Sequence, residues 1–226
     1  MREPGLITKY LVEKAQGIIK LEPEISDNEG IGYLAFDSGG VEIEVGEFLY
    51  GLVRALKPQR VLTTGVYSGI SDAYIALGLK DNGFGQSQAV EYETFHIERA
   101  RNLWETLGIA NIIHVHQGSS LDFVPSGLYQ LIFLDTEPMI RFAELEKFFP
   151  KLEPGGFIGI HDLPRTFCQG NINQDHPEMK SYPFGDVPPQ MQEWLQTGKL
   201  VKFHLPSPRG MVFFYKTREE DYNVKT

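Results

Sequence analysis

Apolar positions in the first part of the chain keep helical spacing twice. Leu6, Ile7, Tyr10, Leu11, Ala15, Ile18 and Ile19 recur at intervals of three and four, which predicts an amphipathic helix from Leu6 to Ile19 that Pro23 ends. Ser26 to Gly40 loses that period and is rich in Gly, Asp, Asn and Ser, so it reads as loop, and helical spacing returns from Val45 to Leu56 ahead of Pro58. From Arg60 short apolar runs alternate with longer periodic ones. Strands are predicted at Arg60–Thr64, Gln88–Glu91, Ile112–His116, Tyr129–Leu134 and Gly156–His161, with helices at Ile70–Leu79, Phe95–Leu107 and Met139–Phe149. Alternation of this kind predicts a parallel sheet with helices on both faces. Leu163 to Pro189 breaks the pattern with Pro, Gly, Asn, Gln and aromatics, and an unstructured stretch of that length reads as a lid or binding loop. A helix at Gln190–Thr197 then leads to strands Leu200–Leu205 and Met211–Lys216, whose PSPRG link is too short for a crossover, so the pair must be antiparallel. The expected fold class is α/β, a Rossmann-like doubly wound sheet of seven strands, mostly parallel with an antiparallel last strand.

Bulk properties narrow the function. The 226 residues carry 21 Lys and Arg against 30 Asp and Glu, a net charge of −9, and basic residues cluster on no predicted face. The electrostatic term that dominates nucleic-acid binding would therefore be repulsive, and no nucleic-acid partner is expected. No apolar run approaches the roughly 20 residues of a membrane span, and charges interrupt the N-terminal apolar residues where a signal peptide needs a continuous core. A cytoplasmic protein without membrane contact is expected. Cys168 is the single cysteine, which excludes an internal disulfide and multi-cysteine metal sites.

In an open parallel sheet, ligands bind beyond the carboxyl ends of the strands. The first predicted strand runs into VLTTGVYSGIS: Gly65 allows a sharp turn and close backbone approach, Gly69 close packing as the helix begins, and Ser71 can serve the helix's unpaired amides. Alone, Gly-x-x-x-Gly describes a plain strand-to-helix turn equally well. Glu91 follows the second strand, where an acid can accept from both ribose hydroxyls or stand as a solvated strand-end charge. Ser119 and Ser120, after the third, suit either an adenine edge or a turn cap. The fourth and fifth strands stop on Asp135 and on His161-Asp162. Two adjacent strands ending in carboxylates favour a hard divalent cation, or a base that takes a proton from a hydroxyl; helix caps and turns are the plainer alternative.

GVYSGIS, Glu91, FLDT, LEPGGFIGIHD and a closing RGMVFFYK hairpin, in that order, resemble the class I S-adenosylmethionine-dependent methyltransferases. The likeness is nearest to the small-molecule O-methyltransferases of the catechol and caffeoyl-CoA group and related tailoring enzymes, and Val45-Gly46-Glu47-Phe48-Leu49 matches their pattern before the first strand. It runs from about Gly40 to Lys216 without the lid. The resemblance implies a single domain over 1–226: a cover helix and loop in 1–40, a cofactor-binding core in 41–162, a lid in 163–189, and a closing helix and hairpin in 190–226. It implies S-adenosylmethionine as cofactor, a small-molecule hydroxyl as acceptor, and cofactor contacts from Thr64, Gly65, Val66, Tyr67, Gly69, Ser71, Glu91, Tyr92, Ser119, Ser120 and Asp135. A divalent metal on Asp135 and Asp162 is one implied way to deprotonate the acceptor; His161, whose ordinary pKa near 6.5 suits a general base, is the other. The implied catalytic set is His161, Asp162 and Asp135.

Two departures accompany the resemblance. Thr63-Thr64 stand where the family's first strand ends in an acid, and Leu163 stands where the catechol-like enzymes place a third, Asn ligand. Both leave open a protein of the same fold that binds a nucleotide or the cofactor without transferring methyl groups. A dinucleotide-dependent dehydrogenase fits worse, because it would want Gly-x-Gly-x-x-Gly. In the lid segment Phe167, Tyr182 and Phe184, with Trp194 beyond it, offer an apolar acceptor wall or a small core of their own, and the core reading is preferred for Trp194. His176 and His204 read as surface or packing residues. The apolar stripe of the N-terminal helix suits a twin subunit or its own domain.

Overall fold

The computed structural model describes residues 3–26, 32–138, 140–162, 189–205 and 207–218. The lid segment with Leu163, Phe167, Cys168, His176, Tyr182 and Phe184 lies outside them. Seven strands belong to one mixed sheet and two more form a separate hairpin, so the α/β doubly wound class holds. By its internal contacts the chain divides into two units, Met1–Phe123 and Val124–Thr226.

In the first unit, helix α1 (Leu6–Lys14) stops five residues before the predicted end. Gly17 takes φ +87° and the amides of Ile18 and Ile19 both turn back to the Ala15 carbonyl, so those two isoleucines close a turn although their spacing is helical. Strand β1 (Glu22–Ser26) leads into the stretch that composition marked as loop and pairs antiparallel with β2 (Gly32–Ala35), which lies inside it. Tyr33 and Ala35 are buried while Gly32 and Leu34 are half-exposed, and this period of two outweighs the loop-like composition around it.

Helix α2 (Ile43–Leu56) packs on α3 (Ile70–Asn82) through glycine. A Cβ on Gly46 would lie 2.2 Å from the Tyr74 ring, so the glycine of the Val45–Leu49 pattern is a packing requirement. Tyr74 is fully buried, shares a 2.6 Å hydrogen bond with the Thr8 hydroxyl, and Thr8 donates in turn to Glu47. Strands β3 (Arg60–Thr64), β4 (Gln86–Glu91) and β5 (Ile113–Gln117) are parallel, with β4 central, and α4 (Thr94–Thr106) follows β4. Their register sets Thr64 beside Val90 and Glu91 beside Gln117, so the candidate residues leave the sheet at one level.

In the second unit β6 (Tyr129–Leu134) pairs parallel with β7 (Leu152–His161), which starts four residues earlier than Pro154 and Gly155 suggested. A register shift opposite Tyr129–Leu131 absorbs that pair. Helix α5 (Arg141–Phe148) joins the two strands. After α6 (Pro189–Gln196), strands β8 (Leu200–Leu205) and β9 (Met211–Lys216) form the expected antiparallel pair. The last strand, β9, inserts between β7 and β8 and runs against both. Trp194 packs its ring edge on Phe149 at 5.2 Å and carries the Lys216 ammonium over its face, in keeping with the core reading.

Candidate functional site

In the first unit the turn after β3 is built on left-handed backbone. Gly65 and Gly69 sit at φ +80° and +76°, and Tyr67 between them takes φ +49°. A non-glycine residue in that region costs about 1–2 kcal/mol. The Glu91 carboxylate holds the turn in place: its Oε2 accepts from the Val66 and Tyr67 amides at 2.8 and 3.0 Å, and its Oε1 from the Glu93 amide at 2.9 Å. Hydrogen bonds to a charged acceptor contribute roughly 1.5–3 kcal/mol each, enough to outweigh the strain at Tyr67. Glu91 is thus both the strand-end acid and the clamp on the glycine turn. With about four lone-pair positions on a carboxylate, it retains acceptor capacity for a ligand's hydroxyls.

Gly69 has the packing role that the sequence suggested. A Cβ there would lie 2.6 Å from Ala100 Cβ, and the Trp104 indole donates to the Gly69 carbonyl at 2.9 Å, joining the turn to α4. Ser71 departs from expectation. Gly69 is the residue that caps α3 and no side chain bonds its amides, because Ser71 lies two residues inside the helix and cannot reach back to them. Tyr67 is wedged by its neighbours: a Cβ on Gly39 would come within 2.8 Å of its ring, the His96 ring meets it edge-on at 5.0 Å, and Arg99, paired with Asp37, lies over it.

The remaining candidate residues of this unit sort themselves by burial. Ser119 serves its own turn, its hydroxyl accepting from the Leu121 amide at 3.2 Å. Ser120 Oγ and Thr64 Oγ1 are buried with no hydrogen-bond partner among the described residues. A buried hydroxyl left unpaired costs about 1–3 kcal/mol, so these two are the positions where a ligand's polar edge would gain most. Tyr92, by contrast, is 70% exposed, and Phe95 beside it 68%. Thr63 does not take the place of a missing acid unaided: its hydroxyl donates to Asp72 Oδ1 at 2.6 Å, and that carboxylate is fully buried. The acid stands in the first turn of α3 rather than at the strand end. A buried acid three residues past Gly69 was the signal that sequence reading passed over.

In the second unit Asp135, His161 and Asp162 come together, with one ligand atom from each lying within 4.8 Å of the others. His161 Nδ1 is 3.0 Å from Asp135 Oδ1, and His161 is fully buried. Two arginines that sequence reading missed complete the group. Arg141, 3% exposed, donates Nε to the Thr136 carbonyl at 2.6 Å, donates to the His161 carbonyl, and holds Nη2 3.4 Å from Asp135 and 3.7 Å from Asp162. Arg209 donates to Asp162 Oδ2. Burial works to raise the Asp162 pKa, but the charges of His161, Arg209 and Arg141 and the Arg209 hydrogen bond together outweigh it and hold the carboxyl below its ordinary range. Asp162 also stands at φ +63°, so its backbone turns sharply as β7 ends.

This donor set does not fit a hard divalent cation as it stands. Both carboxylates already face a guanidinium, which cannot lose its proton in a protein. The His161 nitrogen nearest Asp135 is placed to donate a proton, where a metal would need its lone pair.

Comparison with known proteins follows the same lines. Residues 62–163 match the family described as a methyltransferase domain. The catechol O-methyltransferase of Mycobacterium tuberculosis is 32% identical over 128 residues, 55% of this chain and 57% of that protein. Caffeoyl-CoA O-methyltransferase 2 of Eucalyptus globulus is 25% identical over 135 residues, 56% of this chain and 53% of that protein. The chain thus spans somewhat over half the length of the curated relatives it matches. Among solved structures, the O-methyltransferase TomG from Streptomyces achromogenes, in complex with SAM, superposes with a TM-score of 0.64 at 14% identity, covering 96% of this chain and 92% of that one. The chain shares its fold with that O-methyltransferase.

Proposed function

We propose that this chain, which resembles the class I S-adenosylmethionine-dependent O-methyltransferases in sequence through its central segment and in fold over 96% of its length, methylates a hydroxyl of a small-molecule acceptor. The observation that carries the reading is the Glu91 clamp: a strand-end carboxylate bound to the glycine turn, flanked by the unpaired buried hydroxyls of Thr64 and Ser120. Gly65, Val66, Tyr67 and Gly69 shape the turn, Ser71 lies in the helix it opens, and Tyr92 and Ser119 stand at the margin. Together these suit a ligand that brings ribose hydroxyls and a polar purine edge.

When bound, S-adenosylmethionine supplies a methyl group already activated on a sulfonium. The chain's own residues then have two tasks. Those of the first unit hold the cofactor, with Glu91 accepting from the ribose and Thr64 and Ser120 gaining partners. In the second unit, Asp135 accepts the Nδ1 proton of His161 and so fixes the tautomer in which Nε2 is basic, the arrangement by which a carboxylate orients an imidazole base. His161 takes the acceptor's hydroxyl proton, and burial keeps competing water from the imidazole. Asp162 balances the neighbouring arginines. The same reading places the protein in the cytoplasm, with a small molecule as its partner and no nucleic acid; no helix among the described residues is long and apolar enough to cross a membrane.

Calorimetric titration with S-adenosylmethionine and S-adenosylhomocysteine, followed by assay against phenols and sugars, tests the proposal. Saturable binding with S-adenosylhomocysteine production is expected. Folded protein that gives no heat at millimolar cofactor sinks it, and binding without turnover across the panel reduces it to a cofactor-binding protein of the same fold.

A further inference from the structure

We propose that Arg141 and Arg209 stand where a divalent cation would engage Asp135 and Asp162, so that the second unit works without a metal ion and the two arginines act as positioning residues for the Asp135–His161 pair. The inference rests on the methyltransferase reading for its use in catalysis, but the exclusion of metal follows from the cluster itself.

Charge is the first argument. Asp135 and Asp162 carry two negative charges, and Arg141 and Arg209, within 3.7 Å of them, carry two positive ones, so the carboxylates are already matched before His161 is counted. Adding a dication would leave a net charge of two in a largely buried group, a state that desolvation strongly disfavours.

Anchorage is the second. Arg141 cannot swing aside to admit an ion, because its guanidinium also serves the carbonyls of Thr136 and His161, which lie just beyond β6 and at the end of β7. Moving it would strand a buried cation and take a donor from both carbonyls. The position of Thr136 is itself reinforced, since its hydroxyl donates to Glu144 at 2.6 Å on the same helix as Arg141.

Donor geometry is the third. Asp135 Oδ1 is approached by both His161 Nδ1 and Arg141 Nη2, at 3.0 and 3.4 Å. An oxygen that already faces two proton donors is a poor metal ligand, whereas the same oxygen is well placed to fix the imidazole. Arg141 therefore holds the carboxylate that holds the base, and Arg209 holds its partner Asp162.

Manganese titration, followed by electron paramagnetic resonance, decides the matter on the whole chain. Wild-type protein is expected to show no saturable Mn²⁺ site at millimolar concentration, and its turnover to be unchanged by EDTA or by added Mg²⁺. Arg141→Gln/Arg209→Gln, which removes both guanidiniums, is expected to gain one saturable Mn²⁺ site that adding Asp162→Asn to the pair abolishes again, with circular dichroism confirming the fold of each. A saturable site in the wild type that Asp162→Asn removes overturns the proposal, as does turnover that EDTA abolishes and Mg²⁺ restores. Failure of folded Arg141→Gln/Arg209→Gln to gain a site also overturns it, because something other than the guanidiniums would then be keeping the ion out. Cofactor titration of the same samples reads the methyltransferase assignment separately: protein that binds neither S-adenosylmethionine nor Mn²⁺ fails the functional reading and leaves the account of the arginines standing.

Discussion

Each unit satisfies its strand-end acids differently. Glu91 in the first is held almost entirely by backbone: the amides of Val66, Tyr67 and Glu93 converge on its two oxygens. Asp135 and Asp162 in the second are held by side chains, namely His161, Arg141 and Arg209. Backbone donors leave a carboxylate with full charge and spare acceptor positions, which suits binding hydroxyls. Guanidinium partners cancel the charge and use up the oxygens, which suits orienting a neighbour. One acid is arranged to receive a ligand, the others to hold a base.

The sharpest way to break that contrast is to remove the base. His161→Ala is expected to lower kcat by about 10²–10⁴-fold, the usual contribution of a general base, while the calorimetric Kd for S-adenosylmethionine stays unchanged. A matching loss of cofactor affinity would mean that the two regions do not divide the work as described.

Glu91→Ala should act in the opposite sense. Losing one charge-assisted hydrogen bond costs roughly 1.5–3 kcal/mol, which corresponds to cofactor binding about 10–100-fold weaker in the same titration. Unaltered affinity would remove Glu91 from the cofactor site and leave it only the role of clamping the turn.

A stability measurement sharpens the packing side of the comparison. Gly69→Ala forces a Cβ against Ala100 and Trp104 at a left-handed residue, and urea unfolding should show a loss of about 2–3 kcal/mol. Gly83→Ala, also at positive φ but with open space around it, should lose less, because only the backbone cost of about 1 kcal/mol applies.

The smallest effect concerns pH. The Asp162 carboxyl is held below its ordinary range in the folded protein, so its contribution to stability is complete above the unfolded value of about 4. That contribution declines as pH falls through and below that value. Comparing urea midpoints at neutral pH and near pH 3, the acid-induced drop should be shallower in Asp162→Asn than in wild type; an equal drop in both would show that the arginines leave its pKa where it was.

Much of the first region was legible because its partners lie close together along the chain and belong to recognisable local patterns. VLTTGVYSGIS forecast the sharp turn at Gly65 and the close packing at Gly69. Glu91 followed from its place at the end of the next strand. The early end of α1 and the β1–β2 hairpin were not legible, because Gly17 and the alternation around Tyr33 are weaker signals than the periodicity and composition that surround them. Arg141 and Arg209 escaped notice for a different reason. An arginine has no spacing rule with a carboxylate 6 or 47 residues away, and only packing reveals that a charged side chain has been taken inside.

From Arg60 onward, sequence by itself determined the order of strands and helices and, near enough, the residues that end each strand, and hence which acids and which histidine stand at the sheet's carboxyl edge, since period and turn chemistry are local. Tertiary structure decided what those acids face. Whether a carboxylate meets an amide, an imidazole or a guanidinium depends on elements brought together across the fold, and at these distances that neighbour fixes whether the group receives a ligand or steadies a base.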